Sequence, residues 1–188
     1  MSDATQTLAS IAHHLDTLLR TAEIPDYPGA LNGVQVEHTG PVRQVAVAVD
    51  ASLRTIQGAI DAGANLLIVH HGLFWSGVQP LRGRHFERIR QLVAHDVAVY
   101  SSHLPLDLHP TLGNNALLAA ALDLEPTEGF ARFQTIDVGV AGTSDVETVT
   151  LADRMRAIAE RENGSLVAVG ITPGRRTRRW GICTGAGA

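Results

Sequence analysis

Short apolar runs alternate with amphipathic segments along the first two-thirds of the chain, and this alternation restricts the fold more than any other feature of the sequence. Apolar runs of strand length occupy residues 45–49, 66–69 and 97–100, and an amphipathic helix over residues 5–21 precedes them. Strands that alternate with helices form right-handed crossovers and a largely parallel sheet. We therefore predict an α/β fold whose first lobe is a parallel βαβ sheet, with the strand at 45–49 buried on both faces.

A second α/β lobe is predicted to begin after residue 128, which gives domains at 1–128 and 129–188. Its predicted elements are a strand at 135–140, a helix opened by a capping box at 144–147, and a hairpin whose strands lie at 166–171 and 179–183. The last strand runs into a small glycine turn at 185–188, and such a turn normally leads into a helix. We therefore expect the second lobe to be incomplete, with an interrupted βα unit at its end.

Charge and cysteine content exclude several classes of protein. The 15 basic residues, all of them arginine, stand against 19 acidic ones, and a net charge of −4 gives no electrostatic reason to bind a nucleic-acid backbone. The arginine run at 175–179 is interpreted as a solvated edge that discourages sheet pairing.

The single cysteine, Cys183, fits a reducing compartment, so we expect a cytoplasmic protein. We expect no membrane partner, because no apolar run is long enough to span a bilayer and no export signal is visible.

Polar residues follow each of the three predicted strands of the first lobe. Asp50 comes after the first strand, His70 and His71 after the second, and His103 and Asp107 after the third. The carboxyl ends of parallel strands meet at one edge of a sheet, where ligands bind. Neutral imidazoles bind borderline metals and a carboxylate can bridge two ions, so these residues predict at least half of a two-metal site.

The paired histidines are the strongest part of this prediction. Adjacent side chains on a regular strand point to opposite faces, so we expect Gly72, which tolerates unusual backbone angles, to end the strand and let both rings turn toward the edge. Burying His70 and His71 without partners would be costly, which favours metal binding for the pair.

The other candidates have open alternatives. For His103 and Asp107, the residues alone leave a metal site and an ordinary loop equally plausible, because Pro105 should prevent a helix between them. Asp50 is interpreted as a structural carboxylate or as a support for a ligand. The remaining six histidines have no assigned role; they are His13, His14, His38, His85, His95 and His109.

Four segments of the chain resemble the signature of the Nif-three-like dinuclear metal family, whose members are called GTP cyclohydrolase 1 type 2 homologs. The segments read Leu-Asn-Gly-Val-Gln-Val at 31–36, Val-Ala-Val-Asp at 47–50, Leu-Ile-Val-His-His-Gly-Leu-Phe-Trp at 67–75, and Tyr-Ser-Ser-His-Leu-Pro-Leu-Asp at 100–107. The His-His-x-Leu-Phe-Trp block followed by His-x-x-x-Asp is the specific part of the match.

The resemblance implies that His70, His71 and Asp107 bind two divalent ions, with zinc, iron, manganese and nickel all compatible, and that His103 beside them carries a proton. It also implies a further histidine and glutamate from a C-terminal segment. Nothing after Asp107 offers that pair in a suitable context, so we expect either a truncated product or a natural short form that lacks the C-terminal segment and binds metal weakly.

The resemblance further implies two α/β lobes and a homo-oligomer, a hexameric ring of stacked trimers. The implied activity is metal-dependent hydrolysis of a nucleotide-like substrate, with GTP opened at its imidazole ring to release formate and a dihydropterin triphosphate. The alternative is a non-catalytic metal-binding scaffold or regulatory interaction protein. A nucleotide-binding α/β domain without metal would leave the paired histidines unexplained.

Overall fold

A computed structural model describes residues 6–77 and 79–185 of the chain. The chain divides into two compact units, Met1–Leu106 and Asp107–Ala188. Within the described residues, no helix combines the length and the apolar character needed to cross a membrane. Thr5, where the first predicted helix begins, and residues 186–188 of the predicted interrupted unit lie outside the described part.

The first unit contains a four-stranded sheet and the helices that cover it. Its elements are α1 (Leu8–Leu19), β1 (Gly33–Val36), β2 (Val45–Asp50), α2 (Leu53–Asp61), β3 (Leu66–His71), α3 (Gly83–Ala94) and β4 (Ala98–Ser101). The strand order is β1-β4-β3-β2. Strands β2, β3 and β4 are mutually parallel, and β1 is antiparallel to β4. The predicted α/β fold with a parallel sheet is therefore confirmed.

The central strand β3 is apolar because helices cover both of its faces. Leu67 and Val69 belong to a buried cluster with Ile56 of α2 and Leu92 of α3. On the other face, Leu66 belongs to a second cluster that includes residues of α1 and β4. Burial on both sides fixes this strand firmly, so the two histidines at its end are attached to one of the most rigid parts of the unit.

Strand β2 differs from its prediction. It is an edge strand, and Val45, Val47 and Val49 are 44%, 78% and 63% exposed. Ala46 and Ala48 pack against the cluster of α2 and α3, whereas α1 packs against β3 and β4 and leaves the valine face of β2 uncovered. Burial on both faces was therefore wrong for this strand, because only one of its faces has a helical neighbour in the described residues.

The second unit consists of a three-stranded antiparallel sheet with two helices. Its elements are α5 (Asn114–Ala121), β5 (Glu128–Phe133), β6 (Ile136–Glu147), α6 (Thr148–Arg161) and β7 (Arg176–Ile182), and the short helix α4 (Leu104–Asp107) precedes them at the boundary of the units. The strand order is β5-β6-β7. Apolar residues of α5, α6, β6 and β7 form its core.

Two details predicted for the second unit were wrong, and strand β5 was missed. Residues 144–147 are the end of β6, where the Ser144 hydroxyl donates to the carbonyl oxygen of Thr177 at 2.7 Å, so the expected capping box does not form. Strand β7 pairs with β6, and residues 166–169 lie in no helix or strand, so the expected hairpin does not form either. In both cases the hydrogen-bond partner is distant in sequence, β7 for residues 144–147 and β6 for β7, so local sequence patterns could not reveal it.

Most of the arginine run, from Arg176 onward, lies on β7, an edge strand of its sheet, and the edge position agrees with the interpretation from the sequence. Arg176 and Arg178 pair with Asp145, at 2.6 Å and 3.8 Å, and Arg179 pairs with Glu128 at 3.2 Å. Acidic neighbours in the same sheet therefore neutralise these arginines.

Candidate metal centre

Three histidines meet at the carboxyl end of the parallel strands in the first unit. His70 and His71 are the last two residues of β3, and His103 follows the neighbouring strand β4 by two residues. The ring centroids are 4.6 Å apart for His70 and His71, 4.8 Å for His70 and His103, and 5.6 Å for His71 and His103. One candidate ligand atom from each residue lies within 4.8 Å of the others. The sequence-based prediction that these three side chains converge agrees with the structure.

The paired rings do not diverge to opposite faces, and the glycine that follows them has a different role from the one expected. Gly72 does not belong to the positive-φ residues. A Cβ atom at this position would instead collide with the side-chain amide of Gln35. A larger residue here would have to displace the Gln35 side chain, and the expectation of an unusual backbone angle was wrong.

The side chain of Gln35 forms hydrogen bonds with the backbone just beyond the paired histidines. Its side-chain oxygen accepts a hydrogen bond from the backbone N–H of Leu73 at 2.7 Å, and its nitrogen donates to the carbonyl oxygens of Ala30 and Leu31, both at 3.0 Å. These three bonds join the segment before β1 to the segment after β3. The sequence alone gave no indication of this contact, because the partners are 38 residues apart.

Each of the three histidines has an acceptor on its Nδ1 atom. The pairs are His70 with the carbonyl oxygen of Ser102 at 3.0 Å, His71 with Oδ1 of Asp50 at 2.7 Å, and His103 with Oδ1 of Asp26 at 2.8 Å. An acceptor at Nδ1 favours the tautomer that carries its proton there, so Nε2 holds the ring's lone pair. Imidazoles that bind metal are characteristically held in this way by carboxylates or backbone carbonyls.

The two supporting carboxylates differ in burial. The side chain of Asp26 is 7% exposed and that of His103 13%, whereas Asp50 is 64% exposed and His71 40%. Asp50 therefore supports a histidine, which is one of the two roles considered for it from the sequence. Asp26 was missed, because it lies in an irregular segment 77 residues from His103 and no local pattern connects them.

The pKa of Asp26 lies below its usual value. Burial alone would raise this pKa, but hydrogen bonds from His103, Asn32 and the backbone N–H groups of Leu104 and Tyr27 outweigh that effect. The carboxylate is therefore held in its ionised form, which can only accept hydrogen bonds.

Two aromatic rings border the histidines. The Trp75 ring packs edge-on against His103, with centroids 4.6 Å apart, and against His71 at 5.6 Å. The Tyr27 ring lies 6.1 Å from that of His103. These rings give the cluster a partly apolar border, in which electrostatic interactions are stronger than in bulk water.

Asp107, the third predicted metal ligand after His70 and His71, is the first residue of the second unit. It is 8% exposed, and its carboxylate accepts a hydrogen bond from the side chain of Asn114 at 2.6 Å. It ends the short helix α4, so the expectation that Pro105 prevents a helix between His103 and Asp107 was wrong. Proline fits there because the first turn of a helix needs no N–H donor.

The side chains of the cluster suit a borderline divalent metal. Imidazole nitrogen binds zinc, iron, copper and nickel well, and the acceptor at Nδ1 of each ring favours Nε2 as the ligand atom. The residues present in the first unit therefore fit a metal ion, and they do not distinguish among these metals.

Fold and site together define a class of protein: an α/β protein with a histidine cluster at the carboxyl edge of a parallel sheet. The family model described as Duf34/NIF3 (NGG1p interacting factor 3) matches residues 6–188. The chain belongs to this family, as the resemblance of its motifs indicated.

Individual relatives agree with this membership. A GTP cyclohydrolase 1 type 2 homolog from Deinococcus radiodurans is 39% identical over 176 residues, which covers 93% of this chain and 65% of the relative. A protein of the same name from Treponema pallidum is 46% identical over 128 residues, which covers 68% of this chain and 45% of the relative. The solved structure of protein ybgI, described as of unknown function, matches with a TM-score of 0.84 and 34% identity over 97% of this chain and 71% of its own. The chain thus spans less than two-thirds of the length of these two curated relatives.

Proposed function

We propose that this protein binds divalent metal ions through His70, His71 and Asp107, with His103 beside them, and that it uses the metal for hydrolysis. The observation that carries the proposal is the convergence of three imidazoles whose candidate ligand atoms lie within 4.8 Å of one another. Each of these rings also has an acceptor at Nδ1, an arrangement characteristic of imidazoles that bind metal.

The proposal for Asp107 depends on sequence and on local chemistry. It follows His103 by four residues, in the His-x-x-x-Asp spacing of the family motif. Its carboxylate has a hydrogen-bonded side-chain partner, Asn114, as metal-ligating carboxylates generally do. A carboxylate of this kind can bridge two ions, which is the basis for proposing a dinuclear centre.

His103 is proposed to carry a proton. Asp26 holds the Nδ1 side of its ring, so Nε2 is the atom available for proton exchange in the tautomer that this contact favours. Trp75 packs against the ring and limits its movement. The arrangement resembles other catalytic pairs in which a buried carboxylate orients a histidine.

A bound divalent cation lowers the pKa of a coordinated water toward neutrality and stabilises developing negative charge on oxygen. The chain's own residues would orient the reactants, and His103 would accept or donate a proton through Nε2. The substrate class proposed is a nucleotide such as GTP, which is supported only by the name that the relatives carry. A homo-hexameric ring is proposed on the family resemblance. A location in the cytoplasm is proposed on the single cysteine of the chain.

Metal content after purification tests the binding part of the proposal. The protein is stripped with a chelator, reloaded separately with Zn²⁺ and Mn²⁺, and analysed by elemental mass spectrometry after gel filtration. We expect metal above the buffer level in the wild type, at partial occupancy because the binding is expected to be weak, and its loss in His71→Ala. His95→Ala is the matched control, because His95 is an exposed histidine at the end of α3. Absence of bound metal in the wild type would contradict the proposal.

Turnover tests the enzymatic part. Metal-loaded protein is incubated with GTP, and release of formate and of phosphate is followed. Hydrolysis that requires metal and is lost in both His71→Ala and His103→Ala supports an enzyme. Stoichiometric metal without turnover above the buffer rate would support the alternative of a non-catalytic metal-binding scaffold.

A further inference from the structure

The carboxylate of Asp26 makes four polar contacts. Its Oδ1 atom accepts from the backbone N–H of Tyr27 at 2.7 Å and contacts Nδ1 of His103 at 2.8 Å. Its Oδ2 atom accepts from the side-chain nitrogen of Asn32 at 2.8 Å and from the backbone N–H of Leu104 at 2.9 Å. Four contacts on a side chain that is 7% exposed satisfy it almost completely.

Three of these four contacts are fixed as donors regardless of His103. The backbone N–H groups of Tyr27 and Leu104 can only donate. The Asn32 amide is oriented by a separate bond, because its side-chain oxygen accepts from the backbone N–H of His103 at 2.7 Å. Its nitrogen must therefore be the end that meets Asp26, and both Asp26 oxygens must act as acceptors.

The fourth contact then determines the protonation of the His103 ring. A nitrogen that lies 2.8 Å from an ionised carboxylate oxygen must carry a proton, since two acceptors would repel each other. We propose that Asp26 is a positioning residue that fixes His103 as the Nδ1–H tautomer and thereby makes Nε2 its chemically active atom. This inference deepens the proposed function, and the role of Nε2 in proton transfer rests on that function. The tautomer itself can be measured in the metal-free protein.

Asp50 offers a contrast within the same cluster. It contacts Nδ1 of His71 at 2.7 Å, and its side chain is 64% exposed, whereas the Asp26–His103 pair is largely buried. Its substitution should leave His103 unchanged, which makes Asp50→Asn the matched control for Asp26→Asn.

Asp26→Asn preserves shape but replaces one acceptor with a donor. If the new amide nitrogen takes the Oδ2 position, it faces two other donors, the Leu104 N–H and the Asn32 amide nitrogen. The Asn32 amide cannot turn to relieve this, because it would lose its bond to the His103 N–H. If the new nitrogen takes the Oδ1 position, it opposes the Tyr27 N–H alone, because His103 can move its proton to Nε2 and accept at Nδ1. The second arrangement leaves fewer donors opposed, so the variant should change the tautomer of His103.

The experiment uses the whole chain, metal-free in the presence of a chelator and labelled with ¹⁵N-histidine. Long-range ¹H–¹⁵N spectra at mildly alkaline pH, where imidazoles are neutral, distinguish the two tautomers directly. We expect the Nδ1–H form for His103 in the wild type and in Asp50→Asn, and a predominantly Nε2–H form in Asp26→Asn. Asn32→Ala, which keeps the carboxylate, should retain Nδ1–H.

Two results would overturn the inference: a wild-type His103 in the Nε2–H form, or a folded Asp26→Asn protein that keeps the Nδ1–H form. If Asp26→Asn does not fold, the wild-type spectrum decides by itself. A purely structural role would lower stability without changing the tautomer. Failure of the proposed function would appear separately, as a wild type with the expected tautomer that binds no metal.

Discussion

The side-chain oxygen of Gln35 accepts a 2.7 Å hydrogen bond from the backbone N–H of Leu73, two residues beyond His71. With the two bonds from its nitrogen to Ala30 and Leu31, this side chain connects two segments that the sheet does not join directly. The contact explains why the residue after the paired histidines is glycine, since a methyl group there would collide with the Gln35 amide.

Gln35→Ala is expected to lower the free energy of unfolding by about 2 kcal/mol, because it leaves partly buried backbone groups without partners. Urea denaturation of the metal-free protein measures this change. Gln57→Ala is the control: Gln57 is an exposed residue of α2 that bonds only Asp61, and its loss should cost less than about 0.5 kcal/mol. Equal effects of the two substitutions would contradict the proposed connection.

Gly72→Ala is expected to destabilise the protein by about 1–3 kcal/mol, because the added methyl group displaces the Gln35 amide. The same substitution in a Gln35→Ala background should cost less, since the obstacle has been removed, and a double-mutant cycle measures this coupling. Gly58→Ala in α2 should be neutral or stabilising, because no atom of the described residues outside the adjoining backbone of α2 lies within 4 Å of the added methyl group. Additive effects at positions 35 and 72 would exclude the collision.

Asp50→Asn is expected to weaken metal binding by about 10-fold or more, because a carboxylate that orients a ligating imidazole contributes to its basicity and geometry. Calorimetric titration with Zn²⁺ measures the affinity. Asp61→Asn, an exposed carboxylate of α2, is the control and should bind metal as the wild type does. An unchanged affinity in Asp50→Asn would show that His71 needs no carboxylate partner.

The free energy of unfolding is expected to depend on pH in the alkaline range through the hydroxyl of Tyr100. Burial raises the pKa of its hydroxyl, and the hydrogen bond that it donates to Asp16 at 2.8 Å raises it further. The pKa of Tyr100 in the folded state lies above its unfolded value of about 10. The contribution of this hydroxyl to the free energy of unfolding is therefore complete below pH 10 and falls by about 1.4 kcal/mol per pH unit above it.

Urea denaturation at several alkaline pH values should therefore show a steeper loss of stability for the wild type than for Tyr100→Phe. Below pH 9 the Phe variant should be less stable by about 1 kcal/mol, the value of the lost hydrogen bond. The chain contains no lysine, which keeps other titrations in this range few. Parallel pH profiles for the two proteins would refute the assignment.

The sequence was sufficient to predict the α/β fold and the convergence of the histidines, because both depend on strong local signals. Strand β3 is apolar on both faces and ends in His70 and His71, and His103 follows the next strand of the same sheet. Parallel strands bring such residues to one edge whatever the details of the loops.

The supporting residues could not be predicted, since their partners are distant in sequence. Asp26 lies 77 residues from His103, and Gln35 lies 38 residues from Leu73. The second unit was predicted less well for a similar reason: residues 144–147 carry a helix-capping pattern, but pairing with β7 extends β6 through them. Nonlocal hydrogen bonds outweighed local propensity there.

The most direct test of the metal centre is anomalous diffraction from crystals of the protein grown with Zn²⁺, with data recorded on both sides of the zinc absorption edge. We predict an anomalous peak for a zinc ion that lies about 2.0–2.1 Å from an imidazole nitrogen of His70 or His71. Zinc bound elsewhere, with the three rings contacting only protein and water, would contradict the account.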